Sequence, residues 1–499
     1  HRSWVRSPPL APLFIKIFMQ YNIPHHILFV LHSLEEAGFE AFIVGGSVRD
    51  LILGHKTPVD WDITTNALPP QIQELFPDSV YENTFGTVGV KYRNPNETVE
   101  IIEITTYRKE SQYTDSRHPE QVEFVSELSQ DLARRDFTVN ALAMNRQGEI
   151  KDFFGGLKDL KAKIIRTVGE PQDRFNEDAL RLMRAVRFAI QLDFKIESNT
   201  LNAIQNLAPK LKHIAKERIR DELTKMMQTP RAMQGYILLK DSNLLQYSIP
   251  ELLEGVNVEQ NGHHIYDVWE HLLRTMQHAC DRSWSFDLRM AGLLHDIAKP
   301  RTKEGIGKTS TFHNHEIVGA SMAYEILNRL HYPKKFVARI SKLVRYHMFY
   351  YDTNEVTEAS IRKLIRNVGF ENIKDLIKLR ECDRIGSGTP KARPYRLRHF
   401  EYMTEKVMLD PIDLSMLAID GNVLIKELHI PAGPMIGMIL NVLLAEILET
   451  PDNNTVEYLK KQAKNLATQD LKDLKIKAIN LIEEKQREQD EEIRRKFFL

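Results

Sequence analysis

Cysteine is nearly absent from this chain. Cys280 and Cys382 are the two among 499 residues. That excludes a disulfide scaffold and fits a reducing, cytoplasmic setting. No run of about eighteen apolar residues occurs, so no transmembrane helix is expected. Net charge is missing too, with 68 basic residues against 68 acidic ones. A nucleic-acid partner would need a local basic surface, because the field of the whole molecule does not supply one. No internal repeat stands out. What remains is an ordinary globular composition, 42% hydrophobic and 27% charged. The length predicts roughly two to four domains.

The first residues, "HRSWVRSPPLAPLF", are proline-rich and unlike a signal peptide; they read as an extension ahead of Met19. "EAFIVGG" then reads as a short buried strand ending in a glycine turn. "SVRDLILG" reads as a helix that stops at Gly54. "VDWDITT" and "VEIIEITTYR" are β-branched and alternating, hence strands. "QDLARRDFTVNALAM" has helical spacing, and the Gly-Gly of "KDFFGGLKDL" marks a domain edge. From Asp173 to Met227 the pattern is helical, as it is from 229 to 395, where histidine is frequent. The charged end, "EEKQREQDEEIRRKFFL", reads as a solvated helix.

The chemistry begins at Val44–Thr65. Residues two apart on a strand share a face, so Asp60 and Asp62 present paired carboxylates with Trp61 turned away. Such a pair repels unless a cation such as Mg²⁺ sits between its members. Glu103, on a later strand, offers a third carboxylate. Such a site suits two-metal phosphoryl or nucleotidyl transfer. Gly45 and Gly46 let the backbone approach a triphosphate, and the following helix aims its N–H groups at the same anion. Arg49 adds a fork-shaped phosphate donor. Each part alone is weak, because Gly-Gly is usually a plain turn and a lone DxD is usually an acidic strand edge. Their order within about twenty residues carries more weight.

In "EDALRLMRAVR", Asp178, Arg181, Arg184 and Arg187 recur every three residues. One reading is an i,i+3 salt bridge beside a solvated basic face. The other uses base-edge chemistry: a carboxylate accepts from the amino group of C or A, and a guanidinium donates to ring acceptors. Farther on, His271, His295, Asp296, His315, His347 and Asp383 spread over helical sequence. A single histidine is usually a satisfied core or surface residue. Six ligand-type residues with helical flanks are harder to dismiss.

These motifs, in this order, resemble class II CCA-adding tRNA nucleotidyltransferases, which share their head with bacterial poly(A) polymerases. The resemblance rests on "VGGSVRDLILG…VDWDITT", "EITTYR", "RRDFTVNALA", "DFFGGLKDL" and "EDALRLMRAVRFA", over roughly residues 25 to 228. It implies an α+β fold class: a small polymerase-β-like nucleotidyltransferase head followed by an elongated all-α neck, HD and tail region. The expected boundaries are 1–24 for the extension, 25–164 for the head, 165–228 for the neck, 229–395 for the HD-type domain and 396–499 for the tail.

By the same resemblance Asp60 and Asp62 hold Mg²⁺, with Gly46 and Arg49 on the triphosphate. Arg135, Asp136 and Asn140 recognise sugar and triphosphate. Glu177, Asp178 and Arg181 form a protein template for the base, with Arg184 and Arg187 beside them. "DFFGG" is a hinge whose glycines absorb small rotations. Between Tyr107 and Val125 a polar loop, including Asp115 and Arg117, looks full-length, which disfavours a CC-only enzyme. The His-rich segment resembles an HD-type metal-dependent phosphohydrolase. His271, His295, Asp296 and Asp383 match its core ligands, and His315 and His347 match those of a second ion; the metal is unidentified. The implied partners are tRNA, CTP and ATP, with no membrane. The implied activity is addition of CCA to tRNA 3′ ends. The alternatives are an A-only enzyme or poly(A) polymerase, or an RNA-binding scaffold whose HD site alone is active. Lys210, Lys212, Lys216 and Arg218 fit phosphate contacts or plain surface solubility equally. "LAIDGNVLIKELHIPAGPMIGMIL" resembles the tail that holds the tRNA elbow.

Overall fold

The structure is a computed structural model. It describes residues 21–469 apart from 55–57, 59, 82–85, 94–98, 114–118, 262–263, 354–355, 410–413 and 415–416. The chain divides into two compact units, residues 1–341 and 342–499. The fold is α+β.

Among the described residues, the first unit opens with helix α1 (His25–Glu36). Its buried Ile27, Leu28, Val30, Leu31 and Leu34 follow a helical stripe. A seven-stranded mixed sheet follows. Its strands are β1 (Ala41–Val44), β2 (Asp62–Thr65), β3 (Ser79–Tyr81), β4 (Thr87–Arg93) and β5 (Val99–Thr106), then β8 (Leu142–Met144) and β9 (Ile150–Asp152). The spatial order is β3-β4-β5-β2-β1-β8-β9. Helix α2 (Gly46–Ile52) leaves the end of β1, as the glycine turn predicts. The β1–β2 pairing is antiparallel and sets Val44 opposite Asp62; β2–β5 is parallel and sets Asp62 beside Glu103.

Two readings change. "QDLARRDFTVNALAM" is α-helical only over α3 (Leu128–Ala133), with a single 3-10 turn at Thr138–Asn140; Leu142–Met144 is strand β8, paired with β1. The run Leu-Ala-Met is wholly buried, and a short run buried all round carries no period to separate strand from helix. The polar segment after Tyr107, expected as a loop, forms an antiparallel hairpin of β6 (Arg108–Tyr113) and β7 (Pro119–Phe124). Asp115 and Arg117 lie outside the described residues.

Beyond the sheet come α4 (Gly156–Ala162), α5 (Pro171–Glu177), α6 (Leu180–Leu192), α7 (Ser198–Leu207) and α8 (Lys216–Met227). A two-strand parallel pair, Ile164–Ile165 with Lys195–Ile196, ties the ends of this bundle together. Then follow α9 (Ala232–Asp241), α10 (Val268–Asp281), α11 (Phe286–Leu294) and α12 (His315–Arg329). Asp267 caps α10 and Ser285 caps α11, each accepting a backbone N–H from the first turn.

The second unit is helical over its described residues. Its helices include α13 (Glu358–Val368), α14 (Ile373–Gly386), α15 (Tyr395–Leu409), α16 (Pro434–Glu449) and α17 (Val456–Ala467). Leu424, Ile439, Leu443 and Leu459 form the centre of one core cluster there. Among the described residues no helix is long and apolar enough to cross a membrane.

Candidate functional site

A cleft of about 430 Å³ opens where β1 meets α2 and α6. Its lining gathers Gly45, Gly46, Arg49, Asp60, Asp62, Arg135, Asp136, Asn140, Arg184 and Arg187. Segments far apart in the sequence therefore converge. Glu103, Glu177, Asp178 and Arg181 are not part of the lining.

Gly45 supports the approach by its backbone, with φ +77. A Cβ there would stand 2.9 Å from an Arg135 nitrogen and 3.4 Å from Asp62 Oδ2. The chain thus turns left-handed against the cleft wall, where only glycine sits without strain. Ser47 Oγ donates to the Asp60 carbonyl at 2.7 Å and fixes the loop that carries that carboxylate.

Strand β2 begins at Asp62, so Asp60 stands in the loop before it rather than on the strand. Both carboxylates still face the same space. Asp62 stays open to solvent at the floor of a concave wall. Partial loss of hydration raises its pKa, Arg135 lowers it and Asp60 raises it again; the net shift is upward. That repulsion is what a bound cation would relieve, and an all-oxygen donor set fits Mg²⁺. Glu103 is the register neighbour of Asp62 on the same face of the sheet.

A row of hydrogen bonds crosses the cleft floor. Arg49 donates to Asn140 at 2.6 Å, and Asn140 donates to Asp136 at 3.1 Å. Arg184 donates to Asp136 Oδ2 twice, at 2.8 and 2.6 Å. Burial alone would raise Asp136, but Arg184, Asn140 and Arg181 outweigh it and hold its pKa at about 2. Burial lowers the pKa of Arg135, against the pull of Asp131, Asp62 and Asp136.

Phe188 is the floor that residue spacing did not single out. The guanidinium of Arg187 lies 3.9 Å from its ring centroid, and those of Arg49 and Arg184 lie 5.2 Å away. Ser47, Asp50, Pro58 and Gln191 also line the cleft unpredicted. Periodicity alone gave Phe188 no distinction, because it sits among the apolar positions of α6.

The expected row of Asp178 with Arg181, Arg184 and Arg187 is not a continuous helical face. Asp178 stands between α5 and α6 in extended backbone, and its carboxylate accepts the N–H of Leu180. Its charge partner is Arg218 of α8, at 2.7 Å, and not Arg181. Arg181 donates instead to Glu177 at 2.6 Å and to the carbonyls of Arg174 and Arg134. Thus Asp178 and Arg181 are both engaged, and the carboxylate–guanidinium pairs lining the cleft include Asp136–Arg184 and Arg49–Asp50.

A second constellation lies in the same unit. Gly292 lets α11 approach α10 so closely that a Cβ there would stand 3.3 Å from Met276 backbone atoms. This brings His271 of α10 against His295 and Asp296, which follow α11. His271 Nε2 lies 3.0 Å from both His295 Nε2 and Asp296 Oδ2, and His315 Nε2 lies 3.2 Å from Asp296 Oδ1. The other ring nitrogen of His295 faces the Gly292 carbonyl at 2.9 Å, and that of His315 faces the Phe312 carbonyl at 2.6 Å. Those bonds place the ring proton on Nδ1 and leave Nε2 with a lone pair aimed inward, the tautomer a metal ligand requires. The donor set fits a divalent ion. Burial would raise Asp296, but His295 and Lys299, the latter at 2.6 Å, hold it well below the usual carboxylate range.

His347 and Asp383 belong to the second unit, and both are buried. His347 Nδ1 meets the Val344 carbonyl at 2.7 Å, and Asp383 accepts from Arg380 at 2.8 Å.

Fold and cleft together define a nucleotidyltransferase-type head on a helical body, a class whose chemistry depends on metal ions. Residues 41–166 match the family described as "Poly A polymerase head domain". Residues 193–255 match "Probable RNA and SrmB- binding site of polymerase A", and 268–385 match "HD domain". The chain belongs to the class II CCA-adding enzyme family. It is 39% identical over 296 residues to the CCA-adding enzyme of Lactococcus lactis subsp. cremoris, covering 57% of this chain and 73% of that one. It is 51% identical over 216 residues to the CCA-adding enzyme of Lactobacillus helveticus, covering 43% and 53%. Against relatives such as the latter, the chain spans about half of their length. The crystal structure of the Bacillus stearothermophilus CCA-adding enzyme in complex with CTP is similar at a TM-score of 0.54 and 26% identity, covering 91% of this chain and 98% of that one. The Thermotoga maritima CCA-adding enzyme complexed with tRNA shares the fold at a TM-score of 0.51 and 20% identity, covering 91% and 98%.

Proposed function

We propose that this chain adds C, C and A to tRNA 3′ ends from CTP and ATP, releasing pyrophosphate, in the cytoplasm. The observation that carries the reading is the Asp136–Arg184 pair. It stands in one cleft with a glycine turn and the carboxylates of Asp60 and Asp62. Asp60 and Asp62 hold Mg²⁺, and Glu103 supports them as the sheet neighbour of Asp62. When bound, the ion supplies activation of the attacking hydroxyl and neutralisation of charge on the departing pyrophosphate. The backbone at Gly45–Gly46, with Arg49 and Arg135, receives the triphosphate. Asp136 and Asn140 receive the sugar. Glu177, Asp178 and Arg181, with Arg184 and Arg187, select the base by hydrogen bonds to its edge, without a nucleic-acid template; on this reading Asp178 and Arg181 exchange part of their pairing with Arg218 and Glu177 for contacts to the base. On this reading residues 25–164 form the head, 165–228 the neck, 229–395 the HD-type domain and 396–499 the tail.

A stepwise assay tests the proposal. The protein is incubated with tRNA lacking CCA, tRNA ending in C or CC, and an unrelated RNA, each with labelled CTP or ATP. Growth by C, C and A confined to tRNA is expected. Addition of A only to tRNA ending in CC indicates an A-adding enzyme. Long A tails on any RNA indicate a poly(A) polymerase. No incorporation overturns all transferase readings.

A second activity is favoured by the inward-facing Nε2 atoms beside Asp296. His271, His295, Asp296 and His315 hold a divalent ion, and the site hydrolyses a phosphoester such as a cyclic or 3′-phosphate at a damaged RNA end. Asp296→Ala removes that hydrolysis and spares nucleotide transfer.

A further inference from the structure

Strand β2 carries Asp62 between two neighbours, β1 on one side and β5 on the other. The cleft lies on the β1 side, where Gly45, Gly46, Arg49 and Arg135 gather with the carboxylates. On the β5 side Glu103 stands beside Asp62 in register. Directly paired residues share a face of a sheet, and so do residues two apart on a strand. The face that holds Asp62 therefore continues through Glu103 to Ile101 and Val99 of β5. It takes in Lys91 and Arg93, their partners on β4, and crosses Gly89 to Val80 of β3.

This part of the sheet is open. Ile101 is 60% exposed, Val99 51% and Val80 49%. Lys91 and Arg93 are exposed too, and Asp78 approaches Lys91 only to 3.9 Å. The alternate residues Ile102, Ile104, Val88 and Val90 turn the other way and are buried. Glu100 also turns away, toward His26 at 3.2 Å. Single exposed aliphatics are ordinary. Three on one sheet face, beside two cations and leading to a carboxylate site, mark an interaction surface.

In-line displacement says what must pass here. Attacking and leaving oxygens stand on opposite sides of the transferred phosphorus. With the triphosphate received on the β1 side, the attacking ribose hydroxyl arrives from the β5 side. The strand behind that hydroxyl then runs over Ile101 and Val99, roughly 7 and 13 Å beyond Glu103. Sugars and base faces suit the aliphatic side chains, and phosphates suit Lys91 and Arg93.

We propose that the open face of β3, β4 and β5 is the track for the unpaired 3′ end of the tRNA. Lys91 and Arg93 are its phosphate contacts, and Ile101 and Val99 are its apolar floor. This track rests on the proposed transferase function and adds the acceptor side of that site. The variants that test it are the double charge reversal Lys91→Glu with Arg93→Glu, and separately Ile101→Asp. All three positions are exposed, so normal melting temperatures are expected. Two readouts are taken on the full chain: ATP incorporation into tRNA ending in CC, and fluorescence anisotropy of that tRNA without nucleotide.

Each variant is expected to raise KM for the tRNA and weaken its binding by about ten-fold, with KM for ATP changed by less than about two-fold. With tRNA trimmed to its last base pair, variants and wild type should bind alike. Unchanged KM and affinity overturn the proposal. So does an equal loss on the trimmed tRNA, which places the contact on the stem. Sedimentation showing a dimer that Ile101→Asp dissociates assigns the face to a second copy and overturns it as well. A wild type that binds the tRNA yet incorporates nothing overturns the transferase reading; an active wild type with unchanged variants overturns only the track.

Discussion

Arg184 donates two hydrogen bonds to one oxygen of Asp136, across 48 residues of sequence. The contact joins the segment "RRDFTVNA" to helix α6 and closes the cleft between them. It also sets a titration. Asp136 is held at about 2 against an ordinary 3.8. A carboxyl depressed on folding contributes its stability in full above the unfolded value and loses it as pH falls through the folded value. At neutral pH that contribution is about 2 kcal/mol. Urea denaturation of wild type and Asp136→Asn across pH should therefore show their stability difference shrinking by about 2 kcal/mol from roughly pH 6 to pH 2.

Asp62 behaves in the opposite sense. Its carboxyl is raised by lost hydration and by Asp60. Asp62→Asn relieves that repulsion, so the melting temperature is expected to hold or rise. On the proposed metal-binding role, nucleotide incorporation is expected to fall by about a thousand-fold, because the site would lose a charged ligand for the ion. A parallel melt and incorporation assay measure both. A variant that retains near-normal incorporation removes Asp62 from the metal site.

The two glycines of the turn should separate. Gly45 has φ +77, and a Cβ there would press on Arg135 at 2.9 Å. Gly45→Ala is expected to cost about 1–3 kcal/mol in chemical denaturation. At Gly46 a Cβ would meet the Arg49 guanidinium at an ordinary 3.5 Å. Gly46→Ala should fold normally and, on the proposed triphosphate role of this turn, raise KM for nucleotide, since the methyl group would stand where the phosphates are proposed to approach. Equal denaturation midpoints for both variants would contradict this division.

The histidine cluster predicts metal-linked stability. An ion bound to the folded chain alone stabilises it by about 2.7 kcal/mol at a hundred-fold excess over Kd. Calorimetry with Mn²⁺ or Ni²⁺, and again after chelation, should show that shift in wild type. His295→Ala should lose it, because its Nε2 faces that of His271 at 3.0 Å. A shift of equal size in His295→Ala places the ion elsewhere.

Local signals in the sequence carried the head well. The strand, Gly-Gly turn and helix around Val44–Ile52 need only near neighbours, and the structure has them. Long-range partners were not legible. Asp178 finds Arg218 forty residues on, and Arg187 finds Glu222 thirty-five residues on. No periodicity within α6 announces either. The i,i+3 expectation for Asp178 and Arg181 failed because the chain leaves helix geometry at Asp178, where φ is −141. Strand β8 was misread for a related reason: its neighbours bury it on every side, and that burial is a tertiary fact. The histidines were visible as residue types, but their inward tautomer depends on the carbonyls of Gly292 and Phe312.

The bond between Asp136 and Arg184 also bears on how the chain can be divided. A fragment ending at residue 164 would lose the cation that holds Asp136 ionised together with the helix that helps to cover it. An uncompensated buried charge is costly enough that such a piece would protonate Asp136 or open around it. Excising the head would therefore not yield a weaker version of the same catalyst. The same reasoning carries past α6, because buried Arg187 takes its carboxylate partner from Glu222 of α8, so a truncation series meant to isolate the head has its natural limit beyond Glu222.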